Sequence, residues 1–594
     1  MAKVLIPEGF EPERTESFRV ERLALDKIKK SFKNDNDVVI YFRPVIYIPR
    51  LGKEIAPDII WFKEGVGAAI IEVKAWDFQF LKACTVERGR LKHIPSGQTF
   101  TFPVYEIRRF LEGILNIGVK PLGWVFFLPN LKYSEYEKLP EEIKNLIPYE
   151  KTIFAEDYYL TNSKEIIREK IFGSLAQFYN SIPQEEINKN LLKLKKLLFP
   201  YLEIPRSENL LDEVQEQLLY NLKSGHRIIR GGPGSGKTIT LLGKALHEAL
   251  KVFIGGQRKK IVFLTYTTAL VNKIRKDLEE IIQKRELPTS LLELIEVKTF
   301  HSYAKDVIRE MFPSVQVDYT KAIEQLLSLL KDGDIDERFK ADVLLVDEAQ
   351  DIRLDWFPFF HKLKKENTAI AFGVDETQRI YEGTNWKWKD TGFKAQGRVT
   401  VLRKIYRSSG KILDLAIEFL KLDKVLFKNL KELEGTTWLD EMENLIPSGE
   451  GKIELKLVEK PMVETASLLE KLLKRYRPGE ILVLTPFNWD NLREYLDKRF
   501  PGLIATDKRF DPSKVNVTTY YSAKGLEAKA VIVVNFNKLF ELDKKKSVQE
   551  RRRLRRLGFV ALTRASKELY VLGTEDKGAF NELKYLVEKG LKKV

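Results

Sequence analysis

The run Gly231-Gly-Pro-Gly-Ser-Gly236-Lys237-Thr238 carries the clearest chemistry in this sequence. It fits the pattern G-x-x-x-x-G-K-[ST], in which backbone N–H groups surround phosphates, the lysine reaches the outer phosphates and the hydroxyl reaches Mg²⁺. Helical spacing follows Lys237, and a helix N-terminus adds its own N–H groups and dipole to a phosphate site. The residues predicted to bind a nucleoside triphosphate are Gly231, Gly232, Pro233, Gly234, Ser235, Gly236, Lys237 and Thr238.

The acidic residues Asp347 and Glu348 follow an apolar run in the motif Leu344-Leu-Val-Asp347-Glu348-Ala-Gln350-Asp351. A strand here would deliver Asp347 to the shell of a Mg²⁺ ion that Thr238 also binds. Glu348 would then stand where a carboxylate orients or deprotonates an attacking water. Taken alone, the run also fits an ordinary strand followed by an acidic helix start. Together with the glycine-rich loop, it predicts a site that hydrolyses a nucleotide.

A second group of acidic and basic residues lies far upstream, at Asp58, Glu72 and Lys74. Side chains alternate along a strand, so Glu72 and Lys74 share one face. A hairpin centred on Gly65 would place Asp58 across from Glu72 and bring the two carboxylates together. Paired carboxylates bind Mg²⁺ or Mn²⁺, which can activate water and brace a scissile phosphate. Lys74 would hold the nucleophile or neutralise charge. A surface Glu and Lys that alternate on an edge strand remain the alternative.

The elements that position these residues follow from apolar spacing. The predicted N-terminal elements are helices at Glu21–Phe32 and Val104–Leu115 and strands at Val38–Phe42, Val45–Ile48, Ile55–Phe62, Ala68–Ala75 and Gly123–Leu128. An amphipathic helix, Glu185–Phe199, is interpreted as a connector. Beyond it, strands and helices alternate as in an α/β fold. The strand candidates there are Arg227–Arg230, Lys260–Thr265, Val343–Val346, Thr368–Gly373, Ile481–Thr485, Val515–Thr519 and Ala530–Asn535.

Length and composition limit the class of protein. A chain of 594 residues is long enough for several domains, each with its own core. The 101 Lys and Arg residues outnumber the 85 Asp and Glu residues, and the net charge of +16 favours nucleic acid over membrane as a partner. A thermophile surface rich in Lys, Arg and Glu explains this composition equally well. The single Cys excludes an intramolecular disulfide. No signal peptide or membrane span is recognisable, so a cytoplasmic protein is expected.

A series of motifs between Gln215 and Arg564 resembles, in the same order, that of the superfamily 1 DNA helicases of the UvrD/Rep/PcrA kind. Besides the two motifs above, the series contains Leu211-Asp-Glu-Val-Gln215, Leu264-Thr265-Tyr266-Thr-Thr-Ala-Leu270, Thr299-Phe300-His301-Ser302, Gly373-Val-Asp375-Glu-Thr-Gln378-Arg-Ile-Tyr381, Tyr406-Arg407, Thr519-Tyr-Tyr-Ser522-Ala-Lys524-Gly-Leu-Glu527 and Val560-Ala-Leu-Thr563-Arg564. The resemblance implies that ATP binds between two RecA-like lobes. It assigns adenine reading to Gln215, adenine stacking to Tyr406, sensing of the γ-phosphate to Gln378, arginine fingers to Arg407 and Arg564, and a further nucleotide contact to Glu527.

The same resemblance implies movement along single-stranded DNA, in the 3′→5′ direction, as the lobes open and close. Aromatic side chains stack on bases with about 1–3 kcal/mol per base and little sequence preference. For any single aromatic residue, a place in the protein core is the alternative. The expected partner is single-stranded DNA or a tailed duplex, with RNA left open. The residues expected to contact the strand are Thr265, Tyr266, Thr299, His301, Tyr381, Trp386, Thr519 and Ser522.

The chain departs from the family pattern at three positions. Gly383 stands where a strand-stacking aromatic residue is usual, Ile405 replaces the usual Asn, and Tyr521 replaces the usual His. Trp386 or Trp388 are the candidates to substitute for the missing aromatic ring.

Two connections are also short for this family. About forty residues separate the Thr299-Phe-His301 motif from Asp347, and about a hundred separate Arg407 from Thr519. Large family members insert accessory subdomains at these places, so those subdomains are expected to be reduced or missing. The resemblance therefore implies translocation more firmly than duplex separation.

The residues around Asp58 resemble the PD-(D/E)xK nuclease core, and specifically the nuclease-related (NERD) domain. The helix that starts at Glu21 is similar to that family's N-terminal glutamate helix, which adds Glu21 to Asp58 and Glu72 as an expected metal ligand. Pro103-Val-Tyr-Glu106 stands where the family has P-x-x-Q, so a carboxylate replaces the glutamine. Such domains can survive as binding modules, and DNA cutting is therefore one of two open outcomes.

Together these features predict an α/β protein in which a restriction-endonuclease-like N-terminal domain precedes two RecA-like lobes with reduced accessory subdomains. The expected boundaries are 1–178 for the NERD-like domain, 179–207 for a helical linker, 208–395 for the first lobe and 396–594 for the second. The expected function is an ATP-dependent DNA translocase or helicase coupled to a Mg²⁺- or Mn²⁺-dependent nuclease, for DNA repair or defence against foreign DNA. Two alternatives are a motor with a non-catalytic DNA- or protein-binding N-terminal domain, and an ATP-switched sensor that binds a strand without travelling.

Overall fold

The structure is a computed structural model that describes residues 2–5, 16–44, 46–48, 53–55, 57–102, 105, 107, 122–175, 183–205, 209–221, 225–256, 258–381, 384, 386–404, 406, 410–432, 451–505, 511, 513–542 and 547–590. The chain divides into two compact units. The first comprises Met1–Lys223, Leu246–Arg258 and Glu280–Leu291, and the second comprises Ser224–Ala245, Lys259–Glu279 and Leu292–Val594. No helix within the described ranges is both long enough and apolar enough to cross a membrane.

The first unit is built on a mixed sheet with the strand order β1-β2-β5-β6-β10-β11. The strands described in this unit are β1 (Lys3–Leu5), β2 (Val38–Phe42), β3 (Ile46–Ile48), β4 (Lys53–Ile55), β5 (Ile59–Lys63), β6 (Gly67–Val73), β7 (Cys84–Glu87), β8 (Arg90–His93), β9 (Thr99–Phe100), β10 (Leu122–Phe127) and β11 (Thr152–Ile153). The helices are α1 (Glu16–Ser31), α2 (Phe78–Lys82), α3 (Tyr133–Tyr136), α4 (Glu141–Leu146), α5 (Ala155–Tyr159), α6 (Ser163–Gly173), α7 (Gln184–Leu198) and α8 (Glu213–Asn221).

The antiparallel strands β2, β5 and β6 carry the acidic residues of interest. In the β5–β6 hairpin, Ile59 pairs with Ile71 and Lys63 pairs with Gly67, so the turn is centred on Gly65. This register confirms the predicted hairpin and places Asp58 opposite Glu72, one position before the first pair. Helices α1 and α6 pack on the sheet, where Ile28 of α1 joins the buried cluster around Trp61. Burial of this apolar face fixes the register, because a one-residue slip would turn every side chain to the other face.

The second unit contains two sheets in which every strand pair is parallel. We call the sheet of order β14-β13-β15-β16-β12-β17 and its surrounding segments lobe 1, and the sheet of order β18-β22-β21-β19-β20 and its surrounding segments lobe 2. Strands of parallel sheets are buried on both faces, which explains their nearly continuous apolar runs. Ligands of such sheets bind at the carboxyl ends of the strands.

The strands of the two lobes are β12 (Gly225–Gly231), β13 (Ile261–Thr265), β14 (Ile295–Thr299), β15 (Ala341–Val346), β16 (Lys364–Val374), β17 (Val399–Leu402), β18 (Lys452–Leu457), β19 (Ile481–Thr485), β20 (Asn516–Thr519), β21 (Ala528–Val533) and β22 (Ala565–Gly573). The remaining helices are α9 (Lys237–Gly255), α10 (Thr268–Lys284), α11 (Phe300–Met311), α12 (Ala322–Leu330), α13 (Phe357–Lys362), α14 (Gly410–Lys421), α15 (Lys424–Glu432), α16 (Pro461–Leu473), α17 (Asp490–Arg499), α18 (Val548–Leu562) and α19 (Gly578–Gly590).

Several elements differ from the sequence prediction. The predicted strand Ile55–Phe62 is wrong as a single element, because β4 ends at Ile55 and β5 begins at Ile59. Pro57 lies between them and has no N–H to donate to a ladder. Strands β14, β17, β18 and β22 were missed, since polar residues interrupt their apolar pattern. The predicted helix Val104–Leu115 falls largely outside the described residues.

Candidate functional site

The glycine-rich loop joins β12 to helix α9 in lobe 1. Gly234 and Gly236 have φ values of 75° and 88°, in the left-handed region that favours glycine. The Nζ of Lys237 donates hydrogen bonds of 2.8 and 2.9 Å to the carbonyls of Gly231 and Gly232, and it lies 3.6 Å from Oδ2 of Asp375. The loop therefore forms the strand–loop–helix context that a phosphate-binding loop requires.

Thr238 and Asp347 converge as the sequence predicts for a Mg²⁺ site. The Thr238 hydroxyl donates a 2.6 Å hydrogen bond to Oδ2 of Asp347, which follows the end of β15. Burial, and then the neighbouring Glu348 carboxylate, raise the pKa of Asp347 to about 6. A hydroxyl and a carboxylate are hard oxygen donors of the kind Mg²⁺ prefers. Buried negative charge of this kind is stabilised by a cation, so the donor set fits a Mg²⁺–nucleotide complex.

Glycine is required next to this pair. A Cβ on Gly373, near the end of β16, would lie 2.8 Å from Oδ1 of Asp347 and 3.7 Å from Cβ of Lys237. The absence of a side chain at Gly373 therefore lets β16 approach both residues closely.

Glu348 has a strained backbone, with φ 55° and ψ 39°. A left-handed conformation costs a non-glycine residue about 1–2 kcal/mol, and such strain is a recurrent feature of active sites. The side-chain amide of Gln350 donates to the Glu348 carboxylate. The Oε1 atom of Gln350 accepts a 3.0 Å hydrogen bond from the backbone N–H of Asp375. Gln350 thus links the predicted general base to β16. Sequence reasoning missed this role, although Gln350 lies within the quoted motif.

Gln378 and Arg564 bring the two lobes together. Nη2 of Arg564 donates a 3.1 Å hydrogen bond to Oε1 of Gln378, whose amide donates at 2.6 Å to Oδ2 of Asp375. Burial lowers the pKa of Arg564, and the Glu348 and Asp375 carboxylates oppose that shift. A continuous polar path therefore runs from the predicted arginine finger to the carboxylate beside Lys237.

A buried ion pair crosses between the lobes at Lys524 and Asp351. Nζ of Lys524 donates to Oδ1 of Asp351 at 2.6 Å and also to the backbone carbonyl of Gln378. Both side chains are about 1% exposed or less, and Nζ lies 3.9 Å from Oε2 of Glu348. The sequence motifs contain both residues, but only the fold shows that they pair.

Four further residues were predicted to contact the nucleotide, and the three that the structure describes are not part of the polar path described above. Tyr406 is 41% exposed, and its backbone N–H donates to the carbonyl of Gly234 at 3.1 Å, which places the backbone of Tyr406 beside the glycine-rich loop. Glu527 accepts a 2.8 Å hydrogen bond from Nζ of Lys273. Gln215 belongs to the first unit, where its Oε1 accepts from the backbone N–H of Asp212 at 2.9 Å. Arg407 lies outside the described residues.

Three of the predicted strand contacts form an aromatic cluster in lobe 1. The ring centroids of Tyr266 and Tyr381 are 4.6 Å apart, and those of Tyr266 and His301 are 6.3 Å apart. All three side chains are half-buried and rest on Trp356 or on one another. Burial lowers the pKa of His301, which favours the neutral form of its ring. We call Tyr266, His301 and Tyr381 the aromatic cluster.

Trp386 does not fit the DNA contact predicted for it. The side chain is 3% exposed, and its Nε1 donates a 2.6 Å hydrogen bond to the carbonyl of Ile352. Phe357 and Trp388 pack against its ring, at centroid distances of 4.8 and 5.2 Å. Trp386 is therefore a core residue, which was the alternative for each aromatic residue. Trp388 is only 1% exposed and cannot substitute either.

The hydroxyl residues of the predicted strand site end parallel strands. Thr265 ends β13 and is fully buried, while Thr299 ends β14 and caps α11 by accepting a 3.1 Å hydrogen bond from the N–H of Ser302. In lobe 2, Thr519 ends β20, and its hydroxyl donates to the exposed Ser522 hydroxyl at 3.0 Å. All lie at carboxyl ends of strands or just beyond them, where ligands of parallel sheets bind.

The first unit brings Asp58, Glu72 and Lys74 together. Nζ of Lys74 lies 2.7 Å from Oδ2 of Asp58 and 3.4 Å from Oε2 of Glu72. Asp58 also accepts a 2.7 Å hydrogen bond from the backbone N–H of Val73. Burial lowers the pKa of Lys74, but the two carboxylates outweigh burial and leave it raised. Two carboxylates and an ammonium group thus form one compact cluster at the end of the hairpin.

Glu21 does not join this cluster. Its carboxylate makes two hydrogen bonds with the Arg43 guanidinium, at 2.6 and 2.9 Å, and it is 3% exposed. Among the described residues, no group of three or more His, Cys, Asp or Glu side chains could hold a metal ion. Because Glu21 pairs with Arg43, this structure does not form the predicted site of three carboxylates. Glu106 lies outside the described residues.

Comparison with known proteins gives one family match. No curated protein matches the chain. Residues 211–336 match the UvrD/REP helicase N-terminal domain, and this region contains the glycine-rich loop and two residues of the aromatic cluster, Tyr266 and His301. The match supports a UvrD-like helicase, which implies ATP-dependent helicase activity on DNA with ATP, and typically Mg²⁺, as cofactors.

Proposed function

We propose that this chain is an ATP-driven translocase on single-stranded DNA that moves in the 3′→5′ direction. The observation that carries the proposal is the hydrogen bond between Arg564 of lobe 2 and Gln378 of lobe 1, because it joins the two lobes beside the phosphate-binding loop. The match of residues 211–336 to the helicase domain supports the same conclusion.

Each step is assigned to residues of this chain. Lys237 and the loop N–H groups would bind the phosphates, and Thr238 and Asp347 would hold Mg²⁺, which would supply positive charge against the triphosphate. Glu348 accepts a proton from the attacking water, and Gln350 fixes the position of its carboxylate. Arg564 stabilises charge on the transferring phosphoryl group, a role worth about 10³–10⁵ in rate for arginine fingers.

Coupling to movement follows from the position of Gln378. This residue contacts Arg564 through its side chain and Lys524 through its carbonyl, and Tyr381 of the aromatic cluster follows three residues later. A movement of Gln378 in response to the γ-phosphate would therefore be passed along three residues of backbone to Tyr381, which is proposed to stack on DNA bases.

The test is ATPase activity with and without single-stranded DNA. We expect wild-type turnover to rise on addition of an oligonucleotide. Lys237→Ala should abolish turnover, and Tyr266→Ala should raise the DNA concentration that gives half-maximal stimulation while leaving DNA-free turnover unchanged. Translocation is measured by displacement of a bound protein from one end of a labelled strand. Turnover that single-stranded DNA does not stimulate would contradict the proposal.

We further propose a nuclease role for the first unit, resting on the cluster of Asp58, Glu72 and Lys74. Two converging carboxylates and a lysine suit a Mg²⁺- or Mn²⁺-dependent phosphodiesterase. One observation favours the second candidate, a non-catalytic binding module: the Lys74 ammonium group already bridges both carboxylates. Metal-dependent cutting of labelled single-stranded, duplex and tailed DNA distinguishes the two. A motor linked to either kind of domain would serve DNA repair or defence against foreign DNA.

A further inference from the structure

An open cavity of about 950 Å³ lies in lobe 1, and of the side chains discussed above only the core residue Trp388 is among its lining. Arg230 of β12 and residues of the segment between β16 and β17, from Lys387 to Val399, line it. The cavity belongs entirely to the second unit, and no predicted motif includes its lining.

The lining is strongly basic. It contains Arg230, Lys387, Lys389, Lys394 and Arg398 and no acidic residue. Arg230 is neutralised by an ion pair with Glu376 at 3.0 Å. The other four side chains are exposed, and no ion pair within the described part of the chain neutralises them. Residues 386–404 contain six Lys or Arg residues and one Asp, so the charge belongs to this segment and does not follow from the average composition.

The one acidic residue of the segment does not neutralise these cations. Asp390 accepts a 2.9 Å hydrogen bond from the backbone N–H of Lys387, as the cap of a short helical turn. Arg398 donates a 3.4 Å hydrogen bond to the carbonyl of His226, which does not neutralise its charge. Concentrated positive charge that no described carboxylate pairs raises the local concentration of anions and is the usual footprint of a phosphate-binding surface.

Ring stacking and hydrogen bonds fix the segment that carries the cations to the rest of lobe 1. Phe393 stacks on His361 at a centroid distance of 4.0 Å, and Nε2 of His361 contacts the carbonyl of Thr391 at 2.8 Å. Nε2 of His226 contacts the carbonyl of Lys394 at 2.6 Å, and the N–H of Ile228 donates to the carbonyl of Arg398 at 2.9 Å. A preformed frame reduces the entropy lost on binding, which distinguishes this surface from a solvated run of lysines.

The cavity offers cations but no stacking surface for a base. Its aromatic residues, Trp388 and Phe393, are only 1% and 2% exposed. Single-strand binding combines phosphate contacts with aromatic stacking, and the aromatic cluster at Tyr266 has the rings for it. Contacts to phosphate alone suit a duplex, whose bases are already paired and whose backbone contacts carry no sequence information.

We propose that this basic cavity binds backbone phosphates of duplex DNA, namely the duplex arm of a tailed substrate whose single strand contacts the aromatic cluster. The inference rests on the proposed function and adds a second DNA site to it. Such a site would hold the motor at a junction between single and double strands.

The experiment measures DNA binding by fluorescence anisotropy as a function of salt, with a tailed duplex and with a single-stranded oligonucleotide. The test variant is Lys389→Gln/Lys394→Gln. The control is Lys471→Gln/Lys474→Gln, which removes the same charge from two exposed lysines at the end of α16, where no described ion pair involves them.

We expect the test variant to bind the tailed duplex about tenfold more weakly and the single strand as wild type does. The slope of log K against log salt for the duplex should fall in magnitude by about 1.8, since each lost phosphate contact contributes about 0.9. DNA-free ATPase activity and the KM for ATP should not change.

Three outcomes would overturn the inference: an equal loss for both DNAs, an equal loss in the control variant, or tailed-duplex affinity unchanged from wild type. A raised KM for ATP would also overturn it by making the cavity a nucleotide site. These outcomes are distinct from a failure of the proposed translocase function, in which single-stranded DNA would not stimulate the ATPase activity of the wild-type protein.

Discussion

Nη2 of Arg564 lies 3.1 Å from Oε1 of Gln378, although 186 positions separate the two residues in the sequence. Gln378 in turn donates to Asp375, which lies 3.6 Å from Nζ of Lys237. The predicted arginine finger, the predicted γ-phosphate sensor and the lysine of the glycine-rich loop thus lie on one polar path. Closure of lobe 2 on lobe 1 is required to complete it.

Arg564→Lys should lower kcat by about 10³ or more while leaving the KM for ATP nearly unchanged. Lysine keeps the charge but lacks the planar fork with which Arg564 donates to Val560, Leu526 and Gln378. Steady-state ATPase kinetics with saturating single-stranded DNA measure the effect. The control is Arg499→Lys, which changes an exposed surface ion pair and should leave kcat unchanged. A kcat of Arg564→Lys within about tenfold of wild type would refute the role assigned to Arg564.

Lys524→Met should destabilise the second unit by about 3–5 kcal/mol, because it leaves the buried Asp351 carboxylate without its partner. The double variant Lys524→Met/Asp351→Leu should recover much of that loss, since both buried charges are then removed. Urea denaturation followed by tryptophan fluorescence measures the difference in unfolding free energy. If the double variant is less stable than the single one, Asp351 and Lys524 are not an energetic pair.

Gly373→Ala should raise the Mg²⁺ concentration needed for half-maximal ATPase activity. The new methyl group would press on Oδ1 of Asp347, and overpacking of this kind costs about 1–3 kcal/mol. A Mg²⁺ titration of ATPase activity reports the effect. Gly255→Ala, at the end of α9 where a Cβ meets nothing within 4 Å, should leave the titration unchanged.

Glu72→Gln should abolish metal-dependent DNA cutting by the full chain while leaving DNA-stimulated ATPase activity intact. The change removes one of the two carboxylates that contact Lys74. Glu64→Gln, in the exposed turn of the same hairpin, should cut as wild type does. Cutting that persists in Glu72→Gln would exclude the cluster as the nuclease site. Wild-type protein that never cuts with Mg²⁺ or Mn²⁺ would favour the binding module.

Cys84 should react slowly with thiol reagents in the folded protein. Its side chain is 3% exposed, and burial raises the pKa of the thiol to about 11, which lowers the reactive thiolate fraction at pH 8 by about a hundredfold. Reaction should accelerate in urea as the first unit unfolds, and because this is the only Cys in the chain, the signal reports that unit alone. Ser96→Cys adds an exposed thiol as a reference for fast reaction. Labelling of wild type at the rate of Ser96→Cys without denaturant would show that the thiol is accessible.

Local sequence patterns were enough to predict site residues whose positions depend on their own loop or on the neighbouring strand. The glycine-rich loop, the strand that precedes Asp347 and the hairpin that places Asp58 opposite Glu72 all follow from spacing, because strand alternation and loop chemistry are short-range properties. The site predictions that the structure does not fit concern side chains whose partner is distant in sequence. Glu21 pairs with Arg43 instead of joining the expected metal site, and Trp386 is held in the core by Phe357 and by a hydrogen bond to Ile352.

The sequence by itself determined which residues could do chemistry, since residue type and local spacing define donors, acceptors and turns. Only the tertiary structure decided which of them meet. The pairs Arg564–Gln378 and Lys524–Asp351 require segments that flank two separate parallel sheets to meet. The basic cavity requires the Lys387–Val399 segment to be fixed against β12 and His361. Such contacts depend on how whole elements pack, and no local pattern encodes that packing.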